Sequence, residues 1–153
     1  MKKNTRLILL LGALLAVGGV TSVWMVDTLA AQSVALPADA GDLSNASTVE
    51  VKDANGTVVL SGHLVDVPED DDDLERKAEL KGSGASATAT GQAEVEVSKT
   101  NNRLDQEVEV SVSNLAPGAT YALFIDGKQL GTFQTNKNGR GELELSTPAV
   151  KAP

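Results

Sequence analysis

Cysteine is absent from the 153 residues, which excludes disulfides, thiolate metal ligands, thiol nucleophiles and the acylated cysteine of a bacterial lipoprotein. A domain built this way rests on its packed core alone. Aromatic side chains are almost as scarce: Trp24, Tyr121, Phe124 and Phe133 are the whole set, and Trp24 falls in the N-terminal apolar run. Val, Leu, Ile and Ala must therefore fill the core, and nucleobases find few faces to stack on. Positive charge is short as well. Lys plus Arg number 13 against 21 Asp plus Glu, for a net charge of −8, and Lys2, Lys3 and Arg6 crowd at the N-terminus. Without a basic stripe to release counterions, nucleic acid is excluded as a partner.

Catalytic signatures are also missing. His63 is the one histidine; with no second ligand or triad partner beside it, it reads as an ordinary strand residue. No glycine-rich loop leads into a helix with Lys-Ser or Lys-Thr, and no Gly-x-Ser-x-Gly occurs.

What is present begins with address. Residues 7–26 form an uncharged, mostly apolar run, preceded by Lys2, Lys3 and Arg6 and followed by Asp27, Asp39 and Asp42. That charge asymmetry keeps the N-terminus inside and sends the rest across the membrane. A run of about 20 residues is long enough to span a bilayer as an anchor helix. Gly12, Gly18, Gly19, Thr21 and Ser22 dilute its second half, and Thr28-Leu29-Ala30 or Ala30-Ala31 offers small residues to a signal peptidase. Residues 1–31 are thus a signal peptide or an N-terminal membrane anchor, and both readings export the remainder to the periplasm, cell surface or medium. Any membrane contact is through residues 7–26, if uncleaved. Residues 32–47 turn to Ala, Ser, Asp, Pro and Gly without sustained period and read as a disordered tether.

Beyond the tether, alternation with period two dominates. Ala85, Ala87, Ala89, Gly91, Ala93, Val95 and Val97 fall on one face of a strand whose other face carries Ser86, Thr88, Thr90, Gln92, Glu94, Glu96 and Ser98. Gly91 in its middle suggests a bend between sheets. Val108, Val110 and Val112 repeat the pattern after a turn at Thr100-Asn101-Asn102, so these two strands form a hairpin. Tyr121, Leu123 and Ile125, the Asp126-Gly127 turn, Leu130 to Gln134, the Asn136 to Gly139 turn, and Leu143 with Leu145 describe a three-strand meander. Val49 and Val51, the Asp53 to Gly56 turn and Val58 to Leu60 make a first hairpin, and Glu75 to Lys81 a weaker strand. About eight strands result. The fold class is all-β, an antiparallel sandwich over residues 48–147, with residues 148–153 as a C-terminal tail.

Between two of those strands stands Asn114-Leu115-Ala116-Pro117-Gly118-Ala119-Thr120-Tyr121. Pro and Gly set a turn that carries the chain across the core, Leu plugs the core's end, and the Tyr hydroxyl bonds back to the corner backbone. Leu115, Pro117, Gly118 and Tyr121 stand at the spacing of the fibronectin type III tyrosine corner. The stretch from Leu104 to Ser146 therefore resembles that immunoglobulin-like superfamily, and residues 125–142 resemble a group of uncharacterised secreted bacterial proteins. The resemblance implies an exported sandwich and is nearly silent on function.

Two clusters remain as candidate sites. Asp70, Asp71, Asp72 and Asp73 sit in a run that wants water, a cation or a basic partner; calcium is the candidate ion, although consecutive acids without a glycine depart from a calcium loop. Glu94/Glu96 and Glu142/Glu144 have the look of paired glycosidase acids, but they fall on solvent faces where the sequence offers nothing to separate their pKa values. The expectation is a non-catalytic exported module with a structural role at the cell envelope or outside, or one that meets a protein partner or an envelope component through edge strands or acidic loops. A calcium-dependent adhesive domain is the alternative, and a hydrolase the remote one. No cofactor is expected.

Overall fold

The computed structural model describes residues 32–68, 73–100 and 103–148. These residues are all-β, and no helix among them is long and apolar enough to cross a membrane. The apolar run 7–26, the rest of the leader, Asp70 to Asp72 and residues 149–153 lie outside the described residues.

Alternation builds the strands as expected. Thr48–Lys52 (β2) buries Val49 and Val51, Val58–His63 (β3) buries Val59 and Leu60, and an Asp53-centred turn joins them as a hairpin. Leu74–Gly82 (β5) turns Ala78 and Leu80 inward. Thr90–Thr100 (β6) and Arg103–Ser113 (β7) form the long hairpin, with Thr100 opposite Arg103. Thr120–Ile125 (β8) pairs with Lys128–Gln134 (β9) across Asp126-Gly127, where Asp126 itself takes φ +48°. Val65–Val67 (β4) adds a short strand on β5 that the sequence reading lacks.

The structure corrects the sandwich. With Gln32–Ala35 as β1 and Gly141–Ser146 as β10, the strands belong to one continuous sheet in the order β1-β10-β7-β6-β5-β3-β2-β8-β9, with β4 off β5, curled into a nearly closed barrel; the strand count among the described residues is ten. The meander is corrected with it. Gly141–Ser146 (β10) follows β9 in sequence but pairs antiparallel with β7. β9 meets β10 through packing: a methyl group on Gly131 would stand 3.1 Å from Leu143, and one on Gly141 would run into the Phe133 ring. Leu143, Leu145, Phe133, Val108, Val110 and Leu123 are all buried beneath that closure.

The long strand from Ala85 is also shorter than expected. Gly84–Ser86 is a 3-10 turn with Ala85 and Ala87 exposed, and the inward alternation begins at Ala89. Gly91 permits close approach, since a Cβ there would stand 2.7 Å from the Ser111 carbonyl oxygen.

Residues 32–47 are folded, which corrects the tether. Gln32–Ala35 (β1) pairs parallel with β10, and Leu36, Leu43 and Ala46 are buried at one end of the barrel. Two polar groups draw the segment in. Gln106 points inward, accepts from the Leu43 N–H at 2.7 Å and donates to the Gly41 carbonyl at 2.9 Å. Arg76 donates to the Ala46 carbonyl and bonds Asp66. Satisfied backbone groups and a few apolar anchors order a stretch whose composition resembles a linker.

Candidate functional site

The β7–β8 crossing is a structural site. Leu115 is buried and its N–H donates to the Gly139 carbonyl at 3.1 Å; the Gly118 N–H donates to the Asn136 carbonyl at 3.2 Å. Tyr121 is buried, and its hydroxyl accepts the Ala116 N–H at 3.2 Å, the bond back to the corner that its position after Pro117-Gly118 anticipates. Thr135, which the sequence did not mark, ties the same corner by donating to the Ala116 carbonyl at 2.6 Å and accepting the Ala119 N–H at 3.1 Å.

The expected metal run is not brought together as a site. Asp70, Asp71 and Asp72 lie outside the described residues; Asp73 is exposed just before β5. The other turn acids do turn chemistry. The Asp53 carboxylate accepts the N–H groups of Asn55 and Thr57, each at 2.9 Å, and the bond from Thr57 above all holds its pKa below the usual value. His63 ends β3 and is exposed.

Carboxylates do gather, but on the outer face of β5, β6, β7 and β10. Strand register stacks them in rows. Glu75 stands opposite Glu96, and Glu96 opposite Glu107. In the next row Lys77, Glu94, Glu109 and Glu144 follow one another across all four strands, and in the third Glu79 faces Gln92 while Ser111 faces Glu142. Like charges directly opposite one another on a sheet oppose folding. Lys77 answers part of this charge, pairing with Glu75 and lying 3.5 Å from Glu94; Gln92 donates to Glu79 at 3.0 Å. A shallow groove of about 350 Å³ runs along the middle of the wall, lined by Lys77, Glu79, Gln92, Glu94, Glu109 and Ser111.

Of the two glutamate pairs singled out in the sequence, this stacking separates Glu94/Glu96 by acting on Glu96. Partial burial, followed by the neighbouring carboxylates Glu94, Glu107 and Glu75, pushes Glu96 up. Glu107 is raised by burial and by Glu144 and Glu94, and Glu109 by burial and by Glu142 and Glu94. Lys77 is raised too, chiefly through its bond to Glu75. Glu94 acts on Glu96, and Glu75 on Lys77, along one strand, whereas Glu107 and Glu109 are raised by burial and by partners across the sheet that sequence does not show.

The opposite wall is different in kind. Lys52 on β2 pairs with Glu50 at 3.0 Å and lies 4.2 Å from the centre of the Phe124 ring on β8. The charge of the barrel is therefore lopsided, concentrated on one four-stranded wall.

No family model, curated protein or solved structure matches the chain. The functional reading accordingly rests on the wall itself.

Proposed function

We propose that the chain is an exported, non-catalytic binding module whose acidic wall receives a lysine- or arginine-rich protein surface. The observation that carries this reading is the row Lys77, Glu94, Glu109, Glu144. Its three glutamates face one another at a cost to folding, an arrangement that stability alone does not favour and that a cationic partner relieves. Lys77, seated between Glu75 and Glu94, supports the choice of an ammonium or guanidinium as the group that fits. The wall's field would also speed and steer the encounter, with strong dependence on ionic strength.

The leader supports export, with Trp24 as its reporter: tryptophan emission from the native protein marks a retained leader, because Trp24 is the one tryptophan of the chain. The tyrosine corner supports kinship with fibronectin type III-like domains, which bears on ancestry and leaves the binding role unchanged. Acid catalysis on a sugar fits poorly, because the half-buried aromatic Phe124 belongs to the other wall.

The calcium reading moves with the geometry. Carboxylate oxygens of Glu75, Glu94 and Glu96 lie within 4.8 Å of one another, a spacing a divalent ion accepts once Lys77 is displaced. Calorimetric titration with a lysine-rich peptide, and separately with calcium, tests both. Heat from the peptide that weakens with added salt and is lost in Glu94→Gln/Glu109→Gln supports the main reading. Heat from calcium alone replaces it with the second, and silence from both removes the wall as a binding site.

A further inference from the structure

We infer that strand β1 offers its free edge to a second copy of this chain, the two β1 strands pairing antiparallel about a two-fold axis at Val34. β1 terminates the sheet order, and among the described residues no strand lies beyond it. The Leu36 N–H donates to the Ser146 carbonyl at 2.8 Å. In a parallel ladder donors alternate, so the peptide groups of Val34 also turn toward β10 while those of Ser33 and Ala35 face outward, unused by the ladder.

Val34 marks the same opening. Its register opposite Leu145 sets its side chain on the core-facing side of the sheet, where Leu145 is fully buried. Val34 is nevertheless 48% exposed, because the wall stops there. Native edge strands are commonly blunted by charge, proline or a bulge. β9 carries Lys128 and a register irregularity against β8, and β4 carries Asp66 and runs into Pro68. β1, reading Gln-Ser-Val-Ala, has no charge, proline or bulge within its four residues, and its proline, Pro37, comes only after Leu36.

The self-complementary register is what selects a second copy over a foreign strand. Centring on Val34 puts Ser33 opposite Ala35 of the other copy twice, as two hydrogen-bonded pairs that use all four outward groups. Val34 then meets its mate in the narrow, non-hydrogen-bonded position, with Cα atoms about 4.5 Å apart, which shields both side chains from water. Such a contact is isologous and closes as a dimer. A net charge of −8 repels two copies, whereas β1 itself is uncharged, so added salt strengthens this association. That sign is opposite to the one expected for a basic partner on the acidic wall, and the two readings fail independently.

The chain has no cysteine, so one substitution supplies the only thiol. Full-length Val34→Cys in detergent micelles is compared under mild oxidation with Val65→Cys, whose site is the more exposed at 61%. The narrow antiparallel pair lies within disulfide reach. The expected result is at least tenfold more disulfide-linked dimer from Val34→Cys, increasing with salt and suppressed when Ala35→Pro removes an outward N–H and leaves the β10 ladder intact. Equal or smaller yield than Val65→Cys overturns the inference, as does a yield indifferent to Ala35→Pro. A foreign strand on this edge, or cover by the chain's own segments, would leave Val34→Cys monomeric and overturn it likewise.

Discussion

The main-chain N–H of Leu43 donates to Gln106 Oε1 at 2.7 Å, joining residues 63 apart in sequence and fastening the N-terminal segment into the end of the barrel. The same side chain donates back to Gly41, so a single buried amide serves both a donor and an acceptor of a stretch with little regular structure. Gln106→Leu keeps the volume and orphans both groups. The expected loss is about 1–3 kcal/mol by urea denaturation. Deleting residues 32–47 costs more, since it also removes the buried Leu36, Leu43 and Ala46.

Asp126 fastens the other side of that segment. Its carboxylate accepts the N–H of Thr48 at 2.8 Å and of Ser47 at 3.1 Å, together with both hydroxyls. Partial burial works against the charge, but these bonds together hold the carboxyl below its usual pKa. Asp126→Ala is expected to cost about 1–2 kcal/mol, read as a lowered urea midpoint.

Acidity should first stabilise and then destabilise the barrel. Glu96, Glu107 and Glu109 are raised above the ordinary 4.5, so the folded chain takes protons before the unfolded chain does, and stability rises as pH falls through the folded values toward 4.5. Asp126, Asp53 and Asp42 are lowered below the ordinary 3.8, so the stability they contribute is complete above that value and lost as pH falls through the folded ones. Melting temperature scanned from pH 8 to pH 3 should pass through a maximum near about pH 4. In a Glu96→Gln/Glu109→Gln variant the rise on its alkaline side should flatten.

The corner gives a graded pair of tests. Tyr121→Phe removes only the acceptor of the Ala116 N–H and should cost about 1 kcal/mol. Gly139→Ala should cost more than about 2 kcal/mol, because Gly139 has φ +70° and a methyl group there would stand 2.1 Å from the Leu115 carbonyl oxygen. Both are read from urea midpoints.

Much of this architecture is legible in the sequence wherever a strand has one wet face. β2, β7 and β8 alternate cleanly, and Asp53 to Gly56 and Asp126-Gly127 are turns by their residue types alone. The corner is legible as well, because Leu115, Pro117, Gly118 and Tyr121 each have a local task. Barrel closure is not, since it depends on Gly131 and Gly141 letting β9 and β10 approach over Leu143 and Phe133. β1 escapes for a related reason. Val34 and Ala35 are exposed, so its ladder to β10 leaves no alternating pattern.

The candidate site divides along the same line. Each glutamate of the acidic wall is visible as the polar half of an alternating strand, and each alone reads as solvation. Only the register that places Glu94 opposite Glu109, and Glu109 opposite Glu144, turns scattered charges into one surface. The consecutive aspartates from Asp70 are more conspicuous in sequence and contribute nothing to it among the described residues.

The acidic wall is tested most directly by amide chemical shifts during titration with an oligolysine peptide at low salt. The account predicts that the amides of Glu94, Glu96, Glu107, Glu109 and Glu144 move together and saturate, while those of β8 and β9 stay in place. Shifts spread evenly around the barrel, or centred on the Lys52 and Phe124 wall, would contradict it.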